Sequence, residues 1–109
     1  MKLLGYVSEH VQFSSVVTDI LASEMAQAGF RVGDSVDITF SNGRKLCDVP
    51  FVDTIQGYDN EVIMFIFKGY EFVQIARMHA SETLWAEASL HGGMTFEVTL
   101  NEAGKYLAK

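Results

Sequence analysis

Val36-Asp37-Ile38-Thr39-Phe40-Ser41-Asn42-Gly43 is the stretch on which the fold turns. Val36, Ile38 and Phe40 alternate with Asp37, Thr39 and Ser41, the period of a strand with one buried and one wet face. Asn42-Gly43 follows at once. Both residues tolerate positive φ, which makes the pair the strongest short-range hairpin signal. Arg44 to Phe51 is then the returning strand, with Pro50 near its end, where a missing N–H does least harm.

The same period recurs toward the C-terminus, where Met94, Phe96, Val98 and Leu100 alternate with Thr95, Glu97 and Thr99. Between the two patterns, Val62 to Phe67 is apolar at every position, which predicts a strand covered on both faces. Such a strand needs cover from the helix, a loop or a neighbouring subunit. Phe72 to Ala76 resumes β character after Gly69-Tyr70. Toward the N-terminus, Leu3 to Val11 and Ser14 to Ile20 read as two further strands. One helix is predicted over Ser23 to Ala28, with Ser23 as N-cap and Gly29 at its end. Ser81 to Ser89 is ambiguous: Leu84, Trp85 and Ala88 could form one face of a short helix before Gly92-Gly93. The expected fold is therefore all-β with minor α, a small, mostly antiparallel β-barrel with one short helix. It fills residues 1–109 as a single domain, and barrel closure removes exposed strand edges.

The 109 residues suffice for one core, and a composition 49% hydrophobic and 20% charged is that of a folded globule. The formal net charge of -6 argues against nucleic acid, since no Lys/Arg cluster offsets the repulsion of phosphates. Met1 to Tyr6 holds no long apolar run, and Glu9 and His10 follow, so neither a signal peptide nor a membrane span is expected. The single cysteine, Cys47, can form no internal disulfide, which fits the cytoplasm.

Catalytic motifs are scarce. His10, His79 and His91 lack the spacing of a helical metal pair, and no metal is expected. A phosphatase-type cysteine needs an arginine six positions on, where this chain has Asp53. Cys47 is therefore read as a small structural residue. The glycine pairs carry no Walker lysine and no dinucleotide fingerprint, and Ser14-Ser15 lacks the glycines of a nucleophile elbow. Asp34, Asp37, Asp53 and Asp59 read as turn or strand-face carboxylates. One cluster suggests a small-molecule rim: Gly69-Tyr70-Glu71-Phe72 with Ile75-Ala76-Arg77-Met78-His79-Ala80-Ser81. An aromatic there offers a stacking face, and Arg77 could hold a carboxylate or phosphate in bidentate fashion. The ordinary reading is that Tyr70 and Phe72 belong to the core and that Arg77 is a solvated strand end.

Taken in order, Gly5-Tyr6-Val7, Gln12 to Ile20, Ala28-Gly29-Phe30, Gly33 to Val36, Ile75-Ala76-Arg77 and His91 to Met94 form a succession. It resembles the C-terminal β-barrel domain of the S-adenosylmethionine hydroxide adenosyltransferase, fluorinase and chlorinase family. The resemblance spans nearly the whole chain on short motifs. It implies that Phe13, Ser15, Tyr70, Arg77 and Ala80 lie on the ligand side, with Phe13 as the aromatic and Ser15 in the place of an adenine-reading asparagine. It also implies S-adenosylmethionine as the ligand to consider. Ser14-Ser15 replaces Gly-Asn and Asp19 replaces a second asparagine, so part of the amide recognition of adenine is lost. The family's N-terminal domain, with its ribose-binding aspartate, has no counterpart. Met94 to Leu100 with Gly104 to Leu107 is also similar to the segment preceding a tyrosine-phosphatase-like domain in some larger bacterial proteins.

These readings lead to a non-catalytic module that binds an adenosyl or other small ligand. The alternative is an accessory or oligomerisation domain of a larger enzyme. A homo-oligomer or an enzyme-domain partner is expected, and neither nucleic acid nor membrane is.

Overall fold

The computed structural model describes residues 1–12, 15–67, 69–80 and 82–101, apart from the side chains of residues 10–12. Phe13, Ser14, Ser81 and the tail segment Gly104 to Leu107, all used above, lie outside the described residues. Seven strands and two short helices are found among those described: β1 (Lys2–Gln12), β2 (Ser15–Leu21), α1 (Ala22–Gln27), β3 (Ser35–Phe40), β4 (Lys45–Val52), β5 (Val62–Phe65), β6 (Phe72–Arg77), α2 (Leu84–Glu87) and β7 (Thr95–Leu100). The strands close into a barrel in the order β1-β2-β6-β5-β4-β3-β7. The fold class read from the sequence is thus the observed one, with a second helix where the 81–89 segment was ambiguous.

Strand parity explains the one departure from antiparallel pairing. A closed ring of strands can alternate direction throughout only if their number is even. With seven, at least one junction must be parallel, and here it is β4 with β5, through Phe51–Met64 and Val52–Phe65. Parallel neighbours need a crossover connection. Residues 53–61 provide it over the outside of the barrel, where Ile55 and Tyr58 pack on Val52, Ile63, Phe65 and Ala76. Met64 points the other way, into the main core with Val16, Ile38, Phe40, Ile75 and Phe96. Within the all-apolar Val62–Phe67 run, the strand Val62–Phe65 is covered inside by the barrel and outside by the chain's own crossover, while Phe67 beyond it is exposed.

The hairpin forms at the expected place, closed by Phe40 N–H to the Arg44 carbonyl (2.8 Å) and Gly43 N–H to the Phe40 carbonyl (2.9 Å). Only Gly43 takes positive φ, at 89°, so the loop is not the two-residue turn that the Asn-Gly pair suggested. Asn42 has a different task. Its side-chain oxygen accepts from Arg44 N–H, and its Nδ2 donates to the carbonyls of Ala88 and Ser89, tying the hairpin to the end of α2.

The helix α1 begins one residue before the expected Ser23, with Leu21 in the cap position, because β2 runs straight into it. Glu24 supplies the cap by accepting from Leu21 N–H at 3.0 Å. Gly29 ends the helix as expected, at φ 99°. The two helices follow or face opposite ends of β2. Met25 of α1 and Leu84 and Ala88 of α2 complete the core at the two ends.

Candidate functional site

A groove of about 560 Å³ lies on the outer wall of the barrel beside β2, β5 and β6. Its floor follows from side-chain alternation. On β6, Val73 and Ile75 enter the main core, so Gln74 and Ala76 point outward. Phe65 on β5 is the cross-strand partner of Gln74, and Ser15 opens β2 alongside. Phe67 and Tyr70 stand at the rim, half exposed, their ring centroids 5.4 Å apart, and Phe67 meets Phe65 edge-on at 6.4 Å. The turn that sets this aromatic wall is closed by Tyr70 N–H to the Phe67 carbonyl at 2.9 Å, with Gly69 at φ 92°. The opposite side is formed by Met78 to Ala80 and by Glu82 to Leu84.

The groove thus gathers Ser15, Tyr70, Arg77 and Ala80, four of the five residues singled out from the sequence. The fifth, Phe13, is outside the described residues. Tyr70 is at the rim rather than in the core, and Phe72 is exposed too, at 40%.

Arg77 meets the groove with three of its five N–H donors already engaged. Its Nε donates to Glu87 Oε2 at 2.8 Å and its Nη2 to Oε1 at 2.6 Å, while Nη1 donates to the Asn60 carbonyl at 2.7 Å. The hydrogen bonds to Glu87 raise the guanidinium pKa, against a smaller opposing effect of burial. The same contacts hold the Glu87 carboxyl below its ordinary range, again against burial. This fork-to-fork pair joins β6, α2 and the crossover loop. Trp85 adds a second tie, its Nε1–H donating to the Ser15 carbonyl at 3.2 Å.

Sequence reasoning passed over Gln74. Its residue is only 4% exposed, and its side chain makes no hydrogen bond to a described residue, whereas the backbone is held in both ladders. No fully enclosed polar side-chain atom among the described residues lacks a partner, so the Gln74 amide opens into the groove's free space. The available signal was a lone amide inside the apolar run Phe72-Val73-Gln74-Ile75-Ala76. Phe65, Phe67, Ile55 and Leu84 were also missed as lining residues, because their contribution depends on the crossover and on α2.

Other groups flagged in the sequence serve the framework. Asp19 accepts from Tyr6 N–H at 2.6 Å, one residue before the Val7–Thr18 pair beyond which the β1–β2 register shifts. Asp37 accepts from Asp48 N–H and from Asn101 Nδ2, organising the bulge of β4, where Asp48 has φ 55°. Cys47 is exposed beside that bulge. No group of three or more His, Cys, Asp or Glu among the described residues could hold a metal ion.

No family profile and no curated protein matches the chain. The solved structure of an uncharacterized conserved protein from Thermotoga maritima is similar to it, with a TM-score of 0.74 at 16% sequence identity. The likeness covers 89% of this chain and 35% of that one, so this barrel spans about a third of the neighbour's length. At that identity the likeness shows a shared fold. No described helix is long and apolar enough to cross a membrane.

Proposed function

We propose that this barrel is a non-catalytic binding module whose outer groove takes a small flat ligand of the adenosyl class. The observation that carries this reading is the convergence of Ser15, Tyr70, Arg77 and Ala80 on one groove. The resemblance to the adenosyltransferase barrel implies these four on the ligand side, and Ser15 joins the other three from a strand more than fifty residues away in sequence. The physical fit supports it. Phe67 and Tyr70 offer ring faces at a rim, and Ser15 and Gln74 are the polar groups of an otherwise mostly apolar floor. The described groove holds no nucleophile paired with a base, so the chemistry available to it is recognition.

The test is calorimetry on the purified chain with adenosine and S-adenosylmethionine, alongside a product assay. The expected result is saturable binding, weakened by Tyr70→Ala, with the ligand recovered intact. Turnover to adenosine would overturn the non-catalytic part, and no binding to either compound would overturn the ligand class.

A second reading, an accessory or oligomerisation domain of a larger cytoplasmic enzyme, is favoured by a different observation. The matched neighbour is about three times as long as the region shared with this chain. Leu4 and Tyr6 also stand exposed on one face of β1, at 68% and 55%, as a self-associating or domain-docking surface would require. Light scattering on this chain separates the two, because a strict monomer would leave the oligomerisation reading without support.

A further inference from the structure

We propose that the Gln74 carboxamide is the edge-reading group of the groove, selecting planar ligands that carry a hydrogen-bond donor and acceptor side by side, as an adenine ring does. This rests on the groove being a ligand site, as argued above. The residue is 96% buried by its 4% exposure, yet its side chain has no hydrogen-bond partner among the described residues. Its neighbours across both ladders, Val17 on β2 and Phe65 on β5, are apolar and can offer none. The buried Thr18 hydroxyl is committed elsewhere. Thr18 Oγ1 donates to the Val73 carbonyl at 2.7 Å and accepts from Ile20 N–H at 3.2 Å, sealing the shift in the β2–β6 register.

A primary amide presents two donor hydrogens and an acceptor oxygen in one plane. Left without partners after water is displaced, those groups oppose binding, so a ligand that covers them must replace the lost hydrogen bonds. An edge with adjacent donor and acceptor replaces them in one bidentate contact, the geometry by which Asn and Gln read adenine in nucleic acids. Ser15 has one hydroxyl and cannot do this alone. The donor–acceptor pair missing from the Ser14-Ser15 segment is thus present on the adjacent strand.

The experiment is NMR on the isotope-labelled chain titrated with adenosine and with purine riboside, which lacks the exocyclic amine. The expected result is that adenosine moves the Gln74 side-chain NH2 signals together with the backbone amide of Ala76. Gln74→Leu should retain the wild-type pattern of remote amides and lose about ten- to a hundredfold in adenosine affinity. Purine riboside, with no donor to match, should lose much less. If adenosine moves the Ala76 amide while the Gln74 NH2 signals stay fixed, the groove remains a ligand site and the edge-reading role is overturned. If no groove signal moves with either compound, both the role and the site are overturned. The NH2 readout comes from the unaltered chain, so it holds whether or not Gln74→Leu folds.

Discussion

Gly5 shows what a single position can demand. It lies in β1 opposite Phe96, and a Cβ there would come within 2.8 Å of both the Phe96 ring and the end of Ile20. Its requirement is space rather than positive φ, so the strand lies this close to Ile20 and Phe96 only because this residue has no side chain. Gly5→Ala should lower unfolding stability by about 1–3 kcal/mol, the usual range for overpacking. A urea denaturation series would measure it, and an unchanged midpoint would mean that Ile20 and Phe96 give way freely. Gln74 belongs to the same scale and to the opposite case. A glycine in a strand can be noticed in a sequence, whereas an amide in an apolar run gains its meaning only once its neighbours prove to be Val17 and Phe65. Arg77 is similar. The sequence indicated a cation able to hold a carboxylate, and in the folded chain that carboxylate is Glu87.

The pair of Arg77 and Glu87 sets the docking of α2, a four-residue helix that would not persist alone. Its effect on stability has a definite sign with pH. The folded Glu87 carboxyl titrates below its unfolded value, so the contribution is fully present above about pH 4.3 and is lost as pH falls through the lower folded value. Both side chains are about a third exposed, so the pair should contribute only about 1 kcal/mol. Glu87→Gln should lower the urea midpoint at pH 7 and have less effect near pH 3. An equal loss at both values would show that the carboxylate's charge is immaterial. At this scale the strands were legible because alternation is local, as at Val36–Phe40 and Thr95–Leu100. What was not legible was the cover for Val62–Phe65. A period-two pattern cannot indicate that a seven-stranded ring forces a parallel junction, nor that the crossover then lies over Ile63 and Phe65. The start of α1 was misread for a related reason, since Glu24 rather than a hydroxyl caps it.

For the whole molecule, the crossover removes one argument for a neighbouring subunit, since the doubly apolar strand is covered within the chain. It leaves the groove as the feature to be explained, and the ion pair beside it limits which ligand parts can be recognised. An adenosyl amino acid carries a base, a ribose and a charged amino-acid end. The aromatic rim and the Gln74 amide can engage the base. Among the described lining residues the amino-acid carboxylate would turn to Arg77, whose Nε, Nη1 and Nη2 each already donate once within the chain, leaving one N–H on each terminal nitrogen. Glu87 already neutralises the guanidinium, so a second carboxylate on the two remaining N–H groups brings little net gain. Adenosine and S-adenosylmethionine should therefore bind this chain with affinities within about tenfold of each other, a difference of about 1.4 kcal/mol at most. Arg77→Ala should act mainly on stability, through the freed Glu87 and the loosened α2, and only weakly on the ratio of the two affinities. Calorimetry with both compounds on wild type and variant would check this. A marked preference for S-adenosylmethionine that vanishes in Arg77→Ala would show that Arg77 leaves Glu87 to hold the ligand.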